Sequence, residues 1–179
     1  MTPHLPPPTI RIVACGNADR GDDGAAVVAL ATLLPTLPRD LLAKLEVRRC
    51  EELRVDDLAD LPVDASCVIV DAVAGPEPGT VVRCTLADLA NGPTCSPRSS
   101  HQLPIDIVLG LAGVLRQEAI PGTFVGLAGH GFGYGSPLSR AVRSALPLFR
   151  DAIEAEVRAQ VAAQHQPTRE TRRHHHAGA

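Results

Sequence analysis

Apolar and polar residues fall in blocks along this chain, and the blocks alternate between strand and helix periods. Thr9–Cys15 (TIRIVAC) reads as a strand closed by the turn signal Gly16-Asn17. From Ala25 to Leu34 apolar residues recur at helical spacing and stop at Pro35. Leu45–Cys50 predicts a second strand, and Ser66–Val73 (SCVIVDAV) a buried third. Thr80–Leu86 is strand-like again. It follows Pro76-Glu77-Pro78-Gly79, a connection too short for a crossover helix, so it is expected as a hairpin strand antiparallel to its predecessor. Leu103, Ile107, Val108, Leu111, Val114 and Leu115 form one helical stripe, and Thr123–Ala128 (TFVGLA) is a further strand. A long final helix is marked by Leu138, Val142, Leu146, Phe149, Ile153, Val157 and Val161.

This succession predicts an α/β protein: a three-layer α/β/α sandwich around a mostly parallel, twisted sheet with one antiparallel strand. The globular part is expected over residues 9–163. Residues 1–8, with four prolines, form an extended lead-in, and residues 164–179 a polar, Arg-rich tail. The run His174-His175-His176 in that tail suits a metal-binding tract or an appended tag, with a solvated surface tract as the simpler reading.

Composition narrows the function. Apolar residues make up 45% of the 179 positions, enough for one sizeable core, but aromatics only 2%, so aliphatic side chains must fill it. The net charge of −3 and the lone lysine, Lys44, give no basic face for nucleic acid. No apolar run reaches the roughly 18–20 residues of a membrane span, and Met1–Pro8 has no signal-peptide pattern. Five scattered cysteines (Cys15, Cys50, Cys67, Cys84 and Cys95) include no Cys-x-x-Cys pair; three of them sit in or beside strand-like runs, where a free thiol behaves as a small hydrophobe, and a reducing cytoplasm is the expected setting. From the chain's size, a monomer is expected.

Sites in open parallel sheets form beyond the carboxyl ends of the strands, near the switch in strand order. The polar residues expected there are Asp22 and Asp23 after the first strand, Asp71 at the end of the third, His101 before a helix, and His130 in the glycine-rich segment after the last strand. Asp is a favoured helix N-cap, but two consecutive acids cannot both cap, so one is expected to cap and the other to face the crevice. Asp71 closes an apolar run where an unpartnered carboxylate would cost several kcal/mol. The triple Asp23, Asp71 and His101 suits a borderline divalent ion such as zinc, nickel or iron with positions left open. A catalytic carboxylate pair is the alternative. There is no Gly-x-Ser-x-Gly elbow, no G-x-G-x-x-G and no Walker lysine.

The stretch from Arg11 to Leu30, with IVACGNADRGDDGAAVVAL, resembles the opening signature of the nickel–iron hydrogenase maturation proteases, G-x-G-N-x-x-x-x-D-[DE]-G. The resemblance continues through Val68-Ile69-Val70-Asp71-Ala72-Val73, Pro78-Gly79-Thr80, Ser100-His101-Gln102-Leu103 and Gly135-Ser136-Pro137-Leu138-Ser139, spanning roughly residues 10–150. The resemblance implies a sandwich fold of the phosphorylase/hydrolase-like kind and a cytoplasmic endopeptidase that removes a C-terminal extension from the hydrogenase large-subunit precursor after nickel insertion. Matched motif by motif, the metal-contacting and catalytic residues fall on Asp23, Asp71 and His101. The resemblance also implies that the nickel is carried by the substrate rather than held by the enzyme. The chain departs from the family pattern at Ala18, where proline is common, at Gln102, where glycine is common, and at His130, where many members carry an acid. Two other functions compete: a non-catalytic metal-binding escort of the hydrogenase subunit, and a peptidyl-tRNA hydrolase-like esterase.

Overall fold

The computed structural model describes residues 9–91 and 103–164. The lead-in, the tail from residue 165 onward, Cys95 and His101 lie outside the described residues, while Gln164 closes the last helix. In chain order the elements are β1 (Ile10–Cys15), a 3-10 turn (Gly21–Gly24), α1 (Ala25–Leu33), α2 (Arg39–Leu42), β2 (Leu45–Cys50), α3 (Asp56–Ala59) and β3 (Ser66–Val73). They continue with β4 (Val81–Thr85), α4 (Leu86–Asn91), α5 (Ile105–Arg116), β5 (Gly122–Ala128) and α6 (Arg140–Gln164).

The sheet order is β2-β1-β3-β5-β4, parallel throughout except where β4 meets β5. Alternation along the buried strands sends their side chains to two separate cores. Ile12, Ala14, Val68, Val70, Val125 and Leu127 pack with α1 and with Phe149 and Ile153 of α6. Val13, Cys15, Cys67, Ile69 and Phe124 face the opposite way, onto Leu58 of α3, Leu86 and Leu89 of α4, and Val108 and Leu109 of α5. Central strands covered on both faces read as nearly continuous apolar runs, which is why β1 and β3 stand out in the sequence despite Arg11 and Asp71. Register between β1 and β2 pairs Arg11 with Glu46 and Cys15 with Cys50. The buried Arg11 guanidinium is neutralised by Glu46 at 2.8 Å and Asp60 at 2.6 Å.

Two expectations need correction. First, β4 is not the hairpin partner of β3, because β5 lies between them. Residues 74–80 cross one strand instead of turning back beside it. Two strand spacings, about 10 Å, are within reach of seven residues. Backbone bonds from Gly79 N–H to the Ala128 carbonyl (2.7 Å) and from Ala128 N–H to the Thr80 carbonyl (2.8 Å) fix the landing on β5. The composition of the strands explains the order: apolar β5 takes the interior position, whereas VVRCT, with Arg83 and Thr85 exposed, suits an edge.

Second, α5 buries a different face from the stripe apparent in the sequence. Its core residues are Ile105, Val108, Leu109 and Ala112. Leu103, Ile107, Leu111, Val114 and Leu115 are between 46% and 75% exposed, so Val108 is the stripe's one buried member. The helix carries apolar residues on two faces, both at helical spacing, and periodicity cannot rank them. No described helix is long and apolar enough to cross a membrane.

Candidate functional site

The chain leaves the carboxyl end of β1 for β2, on one side of it in the sheet, and leaves the carboxyl end of β3 for β4 and β5, on the opposite side. The carboxyl ends of β1 and β3 therefore diverge into loops that leave in opposite directions, the position where doubly wound sheets open a crevice. Asp71 stands on β3 two residues from its end. The pairing of Ala14 with Val70 places it level with Cys15, the last residue of β1. It is fully buried, and its Oδ1 accepts the N–H of Ala72 at 2.7 Å.

The loop after β1 turns back on itself so that Asp23 meets its beginning. Gly16 adopts φ +119°, and a Cβ there would lie 2.0 Å from the carbonyl oxygen of Asp23, so only glycine lets the two ends of the loop approach this closely. Asn17 donates its backbone N–H to Asp23 Oδ2 at 2.9 Å, and its own Oδ1 accepts the N–H of Asp19 at 2.8 Å, an Asx turn that shapes the bend. The 3-10 turn carrying Asp22 and Asp23 packs against β3, the strand that bears Asp71.

Asp22 has a separate task. Its carboxylate is fully buried and accepts three backbone N–H groups from the loop after β5: His130 at 3.0 Å and Gly131 at 3.1 Å on Oδ2, and Ser139 at 2.6 Å on Oδ1. Burial pushes the carboxyl up, but these donors outweigh it and hold Asp22 below the ordinary carboxylate range. Asp22 donates its own N–H to the Gly131 carbonyl at 2.7 Å, and Gly135 donates to the Asp19 carbonyl at 2.7 Å. Gly129 permits this contact, since a Cβ there would lie 2.6 Å from the Asp22 Cβ. The Arg20 guanidinium lies 5.4 Å above the Tyr134 ring, a further tie between the same two loops. The loops after β1 and β5 thus form one continuous rim.

The expected division of labour between the paired acids is corrected by this geometry. Neither carboxylate caps α1, whose N-cap is Gly24 with no side-chain cap bond. Asp22 clamps the far loop, and Asp23 accepts from Asn17. Nor do Asp23 and Asp71 sit on an open edge, since they are 4% and 0% exposed. His130 is on the rim and 64% exposed, its Nδ1 3.8 Å from Asp22 Oδ2. Of the predicted triple, Asp23 and Asp71 come to one edge of the sheet, while His101 lies outside the described residues. Among the described residues no group of three His, Cys, Asp or Glu side chains is arranged to hold a metal ion. The described arrangement is a pair of acidic residues at the switch point under a braced rim, chemistry suited to proton transfer or to sharing an ion with a third donor. The clamp on Asp22 was missed in the sequence. Its one signal there is the second acid of Asp22-Asp23, which has no vacant cap to fill.

The sequence model of the hydrogenase maturation protease family, HycI, matches residues 55–156, more than half of the chain and inclusive of Asp71. Among solved structures, the chain is similar to the [NiFe] hydrogenase maturation protease HycI from Thermococcus kodakarensis KOD1. The identity is 22%, with 83% of this chain and 92% of that one covered and a TM-score of 0.62. It is also similar to the hydrogenase maturating endopeptidase HybD from E. coli, at 22% identity, 84% and 92% coverage and a TM-score of 0.64. At these identities the structural likeness speaks for the fold. No curated protein sequence gives a significant match. With the family's sequence pattern across α3 to α6 and a fold shared over most of the chain, the protein belongs to the hydrogenase maturation proteases and is a peptide-bond hydrolase.

Proposed function

We propose that this protein removes the C-terminal extension of a nickel–iron hydrogenase large-subunit precursor once nickel has been inserted, and that it recognises the nickel carried by that substrate. Asp23, Asp71 and His101 are the residues proposed to contact the ion. The observation that carries the reading is the convergence of Asp23 and Asp71, from separate segments of the chain, on the carboxyl edge where β1 and β3 part. Two carboxylates and an imidazole form a donor set suited to nickel, with coordination positions left for the substrate's own ligands.

In this reading the precursor's tail lies along the rim made by the loops after β1 and β5. The ion fixes the scissile bond in place, which lowers the entropic barrier to attack. Two routes lead to the attacking water: the ion lowers the water's pKa, or Asp23 takes its proton. Specificity follows from incompleteness, because without nickel in the substrate the productive geometry is never assembled.

Incubation of the full-length protein with nickel-loaded and nickel-free precursor, followed by intact mass measurement, tests this directly. Shortening at the precursor's C-terminus in the nickel-loaded sample alone is the expected result. Stable binding without shortening would make the protein an escort, and equal cutting of both forms would remove nickel from the account.

A further inference from the structure

At the foot of the same edge two thiols face each other. Cys15 ends β1, Cys50 ends β2, and the parallel register pairs them directly, with both side chains on the α3–α5 face. Their sulfurs are 3.4 Å apart, and Cys50 Sγ also lies 3.8 Å from the Ala14 carbonyl oxygen. Neighbouring strands run about 4.8 Å apart, and disulfides span Cα separations of roughly 4.4–6.8 Å, so the backbone already holds the two residues at bonding range. Closing the sulfurs to about 2.05 Å is a matter of side-chain rotation with a small backbone adjustment. We propose that Cys15 and Cys50 are a reversible redox modification site, oxidised to a disulfide by hydroperoxides such as hydrogen peroxide.

The two thiols have different parts in the step. Cys15 is fully buried, whereas Cys50 is half-buried and meets solvent. Cys50 is therefore the sulfur that attacks peroxide. Its S–H proton leaves with the departing hydroxide as water, and Cys50 becomes a sulfenic acid. Cys15 Sγ then attacks Cys50 Sγ, the S–O bond breaks, and the hydroxide leaves with the Cys15 proton as a second water. Two thiols and one peroxide thus give one disulfide and two waters, with two electrons passing from sulfur to oxygen.

Position makes this pair more than core filling. Gly16 N–H donates to the Cys50 carbonyl at 3.0 Å, and Asn17 Nδ2 donates to Glu51 Oε1 at 3.3 Å. The cross-link would fasten the base of the Asn17–Asp23 loop to the end of β2. By contrast, Cys67 lies deep in the sheet, where burial pushes its thiol up to about 12 and away from peroxide chemistry. The assignment stands on this geometry and is independent of the nickel reading.

The test is oxidation of the reduced full-length protein with hydrogen peroxide, followed by thiol titration, intact mass and peptide mapping. The expected result is a loss of two thiols, a mass lower by two hydrogens, and a Cys15–Cys50 cross-linked peptide that disappears on treatment with dithiothreitol. Cys50→Ser and Cys15→Ala are expected to abolish the link, whereas Cys84→Ser retains it. Mapping on the wild-type protein decides the matter even if a variant folds poorly. A link to any other cysteine, oxidation of Cys50 that stops at the sulfinic acid, or an unchanged thiol count would overturn the proposal.

Discussion

At the scale of single residues, the acid pair Asp22-Asp23 separates architecture from chemistry within two consecutive positions. Asp22 satisfies three backbone donors of the β5 loop from a fully buried position. Asn in its place keeps the shape but loses the charge and turns a donor toward donors. Asp22→Asn is therefore expected to cost about 1.5–3 kcal/mol, measured by urea unfolding. The pH dependence has a definite sign. A carboxyl whose folded pKa is depressed stabilises the fold fully above its unfolded value, about 3.9, and loses that contribution as pH falls from there through the lower folded value. Wild type should accordingly lose stability below about pH 4 more steeply than Asp22→Asn, a difference that unfolding curves taken between about pH 3 and 6 would reveal. Asp23→Asn is the contrasting case, because the amide oxygen still accepts the Asn17 N–H. Precursor cleavage should fall by about 10²–10⁴-fold while the thermal midpoint stays near wild type. A collapse of the midpoint would give Asp23 a structural role instead.

At the scale of elements, legibility in the sequence followed burial. β1 and β3 were apparent almost to the residue because a strand flanked by two cores shows as a nearly continuous apolar run with turn residues at its ends, whereas β2, at the sheet edge, shows through the alternation of Leu45 and Val47 with charged residues. The position of β4 was not apparent, since a seven-residue connection serves equally for a wide turn and for a step over one strand, and only the placement of β5 decides between them. The buried face of α5 was hidden for a different reason: Leu103, Ile107, Leu111 and Leu115 mimic a core stripe, while Ile105, Val108, Leu109 and Ala112 form the real one. Alanine substitution separates the two faces. Leu109→Ala should destabilise the protein by about 2–5 kcal/mol, because it empties a filled core position. Leu115→Ala, at 66% exposed, should stay within about 0.5 kcal/mol of wild type. Equal costs at the two positions would mean that the exposed ridge is covered by a partner in solution.

At the scale of the whole molecule, the candidate site is assembled from segments far apart in sequence: the loop after β1, the end of β3, and the loop after β5 that braces the first. Of this assembly, Asp23 and Asp71 were legible as acids following strand ends. The brace through Asp22 was not, because it depends on a contact more than 100 residues distant that no local pattern announces. In the proposed function, Asp23 and Asp71 act together on one substrate-borne ion. The most direct test is a double-mutant cycle on kcat/KM for nickel-loaded precursor, comparing wild type, Asp23→Asn, Asp71→Asn and the double variant, with the folding of each checked by its thermal midpoint. If both carboxylates serve one centre, the double variant will be about as slow as the slower single variant. If the two losses multiply as independent factors, Asp23 and Asp71 do not share a site and the account is contradicted.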